Sequence, residues 1–172
     1  VLASGISVGA VYSPYSLDSH QIPDGFRKMI LKRDIPFEIV MCQEQVTLSD
    51  ELIFHVVHPC ELNSDMNDSS LVLYTSGSNP ENTVLLTADI GPAAQKELLQ
   101  RHRELFPVKI LKAPHHGGHS LLEFYEAARP ETTVIGDGVN PYGNPWQETL
   151  EMAEKWSQNV FRLSKTGSIV LT

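Results

Sequence analysis

From Val84 onward the chain alternates short apolar runs with stretches of helical periodicity, and this alternation restricts the fold more than any other feature. Val84–Leu86, Val108–Leu111, Thr132–Ile135 and Val160–Leu163 are runs of three or four mostly apolar or β-branched residues, lengths that suit strands rather than helices. Between them, Ala93–Leu105 carries Leu98, Leu99 and Leu105 as apolar anchors, and Leu121–Ala128 stops before Pro130. Trp146–Trp156 sets Leu150, Ala153 and Trp156 on its buried side. Pro92 and Pro107 bracket the first of these helices, since proline fits a first helical turn and cannot continue a helix. Alternation of strand and helix suits an α/β domain with a mixed sheet and helices outside. Ser168–Leu171 is expected to close the chain as a hairpin with Val160–Leu163 around Lys165-Thr166-Gly167.

The first half has a different rhythm. Ile6–Tyr12 and Phe37–Met41 read as strands, with a helix over Phe26–Arg33 (Phe26, Met29 and Ile30 at helical spacing) between them. Val46–Leu48 and Leu52–Val57 form a hairpin across Ser49-Asp50, a polar turn between apolar runs. A polar loop, residues 58–69, leads to the strand Leu71–Tyr74, closed by Gly77-Ser78-Asn79-Pro80. The sum is an α/β domain with mixed sheets and helices outside, a single unit over residues 1–172 with no repeat and no linker.

Of the 172 residues, 41% are hydrophobic and 20% charged, an ordinary globular balance. No apolar run approaches the roughly 20 residues that span a bilayer. The chain opens at Val1 with no leader pattern and reads as a piece of a longer protein. The formal charge of -8 argues against a non-specific nucleic-acid coat, whose affinity comes from counterion release by basic residues. It argues less against a metallo-nuclease, where ions hold the phosphate. Cys42 and Cys60 lack a metal-binding spacing and are either two structural thiols or a disulfide pair.

Two strand ends carry the residues with most chemistry. Lys112-Ala113-Pro114-His115-His116-Gly117-Gly118-His119 puts three imidazoles within five residues, and neutral imidazole is the commonest protein ligand for zinc-like ions. Asp89 follows Val84-Leu85-Leu86 at the equivalent place, where it is either a helix cap or a functional carboxylate. If the two strands are parallel neighbours, Asp89 and His115 emerge at one sheet edge as part of a metal site. Two polar loops, residues 65–70 and 138–145, read first as turns closed by their own side chains. His55 is assigned a structural place and His58 could serve either role, while His20 and His102 are assigned to the surface.

Together these stretches resemble a family. Asn67-Asp68-Ser69-Ser70-Leu71-Val72-Leu73, Leu85-Leu86-Thr87-Ala88-Asp89, Leu111-Lys112-Ala113-Pro114-His115-His116-Gly117, Asn140-Pro141-Tyr142-Gly143-Asn144-Pro145, Val160-Phe161-Arg162 and Thr166-Gly167-Ser168-Ile169 are similar, in order and spacing, to the metallo-β-lactamase-like domain of ComEC-type competence proteins. The resemblance implies a four-layer αββα sandwich with two divalent metal ions, zinc or manganese, at one edge. It implies that Asp89 and His115 are metal ligands and that His116 is the acid/base or supporting group; Asn67, Ser70 and Asn144 become candidate substrate contacts. The implied activity is phosphodiester hydrolysis on single-stranded DNA, by a soluble domain on the extracytoplasmic side of a bacterial inner-membrane protein, next to the channel portion of the same polypeptide.

The chain departs from the pattern at four points. The family's His-x-His-x-Asp-His string is absent, so this piece is expected to begin beyond it and to be inactive alone. Ala88 stands where a glycine is usual, Gly118 where a serine is usual, and Asn144 where a histidine is usual. These departures leave two rivals, a degenerate domain kept for binding or scaffolding and a same-fold hydrolase of a small phosphoester.

Overall fold

The computed structural model describes residues 6–77, 79 and 81–170. Strand β1 (Val11–Ser13), helix α1 (Asp24–Lys32) and strand β2 (Phe37–Ile39) come first. Strands β3 (Gln45–Ser49), β4 (Leu52–His58), β5 (Val72–Thr75) and β6 (Val84–Leu86) follow as a meander. The alternating portion consists of α2 (Pro92–Arg101), β7 (Ile110–Lys112), α3 (Leu122–Ala128), β8 (Thr132–Ile135), α4 (Gln147–Trp156), β9 (Asn159–Arg162) and the short α5 (Leu163–Thr166).

The change of rhythm in the sequence becomes a change of pairing within one sheet. β3 through β9 lie side by side in chain order. Pairing is antiparallel from β3 to β6 and parallel from β6 to β9. Loops without a crossover helix join the first set, and the intervening helices supply the crossovers that the second requires. β1 and β2 pair in parallel as a separate two-stranded sheet.

Alternation of side chains along the strands sorts the apolar residues into layers. Val57, Val72, Leu85 and Leu111 face α2, α3 and α4, and pack there on Ala94, Leu98, Phe124, Tyr125, Ala128 and Ala153. Their neighbours Val56, Leu71 and Leu73 face the other way and enclose Val40 and Val46 with Tyr12 of β1. Val11 of β1 turns from Tyr12 towards α1, joining Ile30, Phe26 and Met29. The order is therefore helix, small sheet, large sheet, helices.

Several expectations are revised. The first strand is confined to Val11–Ser13, because only three residues find partners on β2; Ile6 stays exposed. The expected closing hairpin does not form. The Asp137 carboxylate takes the backbone N–H of Ser164 at 2.9 Å and its hydroxyl at 2.7 Å, so the chain winds into α5 after β9. Ser168–Val170 pair with no strand, and Leu171 lies outside the described residues, as do Ser78 and Pro80 of the turn after β5. His55 is exposed at its strand surface, and His102 is partly buried beside Glu104.

Cys42 and Cys60 form a disulfide across 18 residues. It joins the segments that leave β2 and β4, where the Cys42 N–H also donates to the Pro59 carbonyl at 2.9 Å, and so fastens the small-sheet segment to the large sheet. Closing a loop of this length restricts the unfolded chain by about 3 kcal/mol. The double variant Cys42→Ala/Cys60→Ala is expected to lose about 2–4 kcal/mol in urea unfolding. Reductant should destabilise the parent chain by a similar amount and leave the variant unchanged.

Candidate functional site

Because β6, β7 and β8 are parallel and in register (Leu86 beside Lys112, Lys112 beside Val134), the loops that follow them leave from one edge. Loops at the carboxyl ends of parallel strands are where open α/β sheets gather their ligands. Thr87-Ala88-Asp89, Ala113 to His119 and Gly136-Asp137 meet there.

Backbone hydrogen bonds join the first two loops. The His115 N–H donates to the Ala88 carbonyl at 3.1 Å, and the Lys112 ammonium donates to that same oxygen. The Thr87 hydroxyl donates to the Lys112 carbonyl at 2.7 Å. The third loop holds the ring of His116, whose Nδ1 lies 2.5 Å from the Gly136 carbonyl. A carbonyl only accepts, so Nδ1 carries the hydrogen. In the neutral ring Nε2 is then the lone-pair nitrogen, and it faces Asp89 Oδ1 at 3.4 Å.

Lys112 approaches the same oxygen, its ammonium 3.6 Å from Asp89 Oδ1. Burial pushes its ammonium pKa down, and the Asp89 charge and hydrogen bond oppose the shift. It is His116, rather than His115, whose ring lies beside Asp89. His115 enters through its main chain, donating to Ala88 and accepting from the Asn144 amide at 3.0 Å.

The His loop holds unusual backbone angles. His115 and His116 have φ of 47° and 56°, followed by Gly117 at 79°, and Ala88 has 45°. Left-handed backbone costs a non-glycine residue roughly 1–2 kcal/mol, so the surroundings must impose it. Trp146 donates its N–H to the Gly117 carbonyl at 2.9 Å, and the buried Thr149 hydroxyl donates to the Gly118 carbonyl at 2.7 Å. The buried Gln95 amide donates to the His119 carbonyl and accepts from the Leu121 N–H. A Cβ on Gly117 would lie 2.5 Å from Pro145 Cβ, so the two loops meet only because this residue is glycine.

Asn144 uses its amide to tie the 138–145 loop to His115. Asn67 and Ser70 bracket a turn of 3₁₀ helix, Asn67–Ser69. That turn reaches the site through Asp68, whose carboxylate accepts the Gly91 N–H at 2.8 Å, two residues beyond Asp89. His58 is buried and supports the same turn, with Nε2 2.8 Å from the Asp68 carbonyl.

Sequence reasoning missed Lys112 and Asp137. A lysine at the end of an apolar strand, directly before the His cluster, was the available signal for the first. Asp137 had none, since its partners Arg162 and Ser164 lie 25 and 27 residues away.

As metal ligands these residues form a partial set. With a neutral His116 ring, Asp89 Oδ1 and His116 Nε2 are two facing acceptors, the arrangement that a cation between them would need. A catalytic zinc ion takes three protein ligands, and no group of three His, Cys, Asp or Glu able to hold a metal ion occurs among the described residues. The described residues fit a share of such a site and not a whole one.

No family model matches the chain. It is 32% identical over 128 residues, 69% of its length, to ComE operon protein 3 of Bacillus subtilis (strain 168). That similarity supports a relationship to the ComE competence proteins. The chain spans only 16% of that protein. Among the described residues no helix is long and apolar enough to cross a membrane.

Ala88→Gly should stabilise the chain by about 0.5–1 kcal/mol, the relief of left-handed strain less the entropy of glycine, raising Tm by about 1–3 °C. Asp137 gives a pH-dependent counterpart. Its side chain is 1% exposed and meets Arg162 Nη2 at 2.7 Å. Burial raises its pKa, but the Ser164 and Arg162 hydrogen bonds and the Arg162 charge outweigh that and hold it below the usual carboxylate range. Its contribution is therefore present above about pH 4 and fades as pH falls through the depressed folded value. Asp137→Asn should cost about 1 kcal/mol at neutral pH, and urea titrations of parent and variant should draw together in acid.

Proposed function

We propose that this chain is part of a DNA-uptake protein, in which Asp89, His115 and His116 form its share of a metal-assisted site for phosphodiester hydrolysis. The observation that carries this reading is the convergence of Asp89 and His116 at the carboxyl edge of the parallel strands, with the His116 ring fixed by the Gly136 carbonyl. A metal-ligating histidine characteristically donates its other ring N–H to a carbonyl or carboxylate, and His116 has that arrangement. Strain held at successive positions of the same loop supports a functional use, since proteins retain such strain where geometry matters.

The similarity to ComE operon protein 3 supports the competence setting. The layer order of helix, small sheet, large sheet and helices supports the metallo-β-lactamase-like αββα sandwich. The disulfide supports an oxidising compartment, hence the extracytoplasmic face, with membrane-channel segments elsewhere in the same polypeptide. In this reading the remaining metal ligands come from outside the described residues.

Two divalent ions, zinc or manganese, would supply an activated water and offset the charge of the phosphodiester. Asp89 offers a carboxylate to them, one imidazole of the His115-His116 pair offers a ring nitrogen, and the Gly136 carbonyl keeps the His116 proton on Nδ1. Lys112 brings a positive charge within reach of the same carboxylate. Asn67 and Ser70 lie on the loop that Asp68 docks beside Asp89, and in this reading they are the contacts for single-stranded DNA. Asn144 is engaged with the His115 carbonyl through its amide nitrogen.

A second reading, a binding or scaffolding domain without catalysis, draws on the partial ligand set and on that engagement of Asn144. The test is metal content and nuclease activity of the protein containing this chain, alongside Asp89→Ala and His116→Ala. Loss of single-stranded DNA cleavage by about 100-fold or more, with bound metal reduced, is the expected result. Unaltered DNA uptake in both variants would favour the scaffold, and activity on a chromogenic phosphodiester with none on DNA would favour a small substrate. The 172-residue chain alone is expected to bind metal weakly and to be inactive; full activity there would contradict the need for further ligands.

A further inference from the structure

Beside this edge lies a feature that the hydrolytic reading does not use. The rings of His119 and Trp146 stack at a centroid distance of 5.5 Å, 19° from parallel. Trp146 is 42% exposed, His119 is exposed as well, and Tyr142, on the loop leading to Trp146, is 78% exposed. Large rings left in water are the informative exception to burial. The main chain at Trp146 is anchored: its backbone N–H is bonded to the Gly117 carbonyl, Pro145 abuts Gly117, and Asn144 is bonded to His115. The contacts that shape the His loop therefore set the backbone beneath Trp146, and its ring rests on that of His119, three residues beyond His116.

We infer that Trp146 and His119 form a stacking platform for the unpaired bases of single-stranded DNA, holding the strand beside the Asp89–His116 edge. Flat aromatic faces accept any base, and only bases free of a duplex can reach them. The charge of the chain points the same way. A chain at -8 lacks the cation excess that binding through phosphates alone requires. Arg162, beyond the third loop, is engaged by Asp137, and Lys112 by Ala88 and Asp89. Attraction through the bases draws on neither of these two cations.

The inference rests on the reading of the edge as a DNA-handling site, but its test needs neither metal nor turnover. The chain has two tryptophans, Trp146 and Trp156. Oligothymidylate added to the 172-residue chain should quench fluorescence in the parent and not in Trp146→Phe. Fluorescence anisotropy with labelled oligothymidylate should give about tenfold weaker binding for Trp146→Ala and His119→Ala, and near-parent binding for Trp146→Phe, which retains a ring. An abasic strand with the same number of phosphates, and a duplex, should each bind at least about tenfold more weakly than oligothymidylate. Trp146→Phe decides the matter even if the alanine variant fails to fold. Equal binding of the abasic strand, or parent affinity in folded Trp146→Ala, overturns the platform and assigns the exposed rings to contact with protein. In the longer protein containing this chain, DNA cleavage unaffected by Trp146→Ala and His119→Ala would overturn the platform and leave the hydrolytic reading intact. Base-dependent binding without cleavage would support the platform alone.

Discussion

The carbonyl oxygen of Ala88 is the junction on which this sheet edge depends. It receives the His115 N–H from one direction and the Lys112 ammonium from another, so the loops after β6 and β7 close on a single atom. Presenting that oxygen goes with a left-handed Ala88, and His115 and His116 are held in the same region beyond it. Such a run of unfavourable angles persists only when each residue is tied from several sides. Gly117, Gly118 and His119 accordingly give their carbonyls to α4 and α2 through Trp146, Thr149 and Gln95. The helices are thus more than cover for the sheet, because they hold the loop that carries the imidazoles.

The fold was legible where periodicity and punctuation agreed. The β6 and β8 runs appear over the expected residues, and α2, α3 and α4 begin and end within a few residues of expectation, because proline and apolar spacing act locally. The change from a meander to strand–helix alternation gave the mixed pairing, since short connections and helical crossovers permit different strand directions. What failed was set by contacts distant in sequence. Val160–Leu163 followed by Ser168–Leu171 has a reasonable hairpin pattern, yet a carboxylate 25 residues before Arg162 redirects the chain into a helical turn. Ile6–Val8 looks strand-like, and only the three-residue match to β2 shows where pairing stops.

The site shows the same division. That Asp89 and the His cluster leave one edge followed from strand order. Which imidazole lies beside Asp89 did not, because the choice depends on φ at two adjacent residues and on the Gly136 carbonyl arriving from β8. The glycine usual in the resembling family at position 88 acquires a physical reason here: the position is left-handed, and alanine occupies it at a cost. Asn144 has a reason of a different kind. Its amide donates to the His115 carbonyl, a contact that a neutral imidazole could make through only one ring N–H, so the residue at this position helps set the shape of the neighbouring loop.

Electrostatics then limits how such an edge can hold a polyanion. Lys112 is partly buried, and its charge is divided between a carbonyl and the Asp89 carboxylate. Arg162 is joined to a nearly enclosed Asp137. Neither cation is free to follow a phosphate backbone, and an acidic chain adds a repulsive background that strengthens as salt is lowered. Binding driven by counterion release would weaken steeply with added salt; attraction through aromatic faces would change little, and repulsion would be relieved. Attraction through the bases, on rings carried by the loops beside Asp89, is the kind of contact that an acidic surface still offers to a single strand.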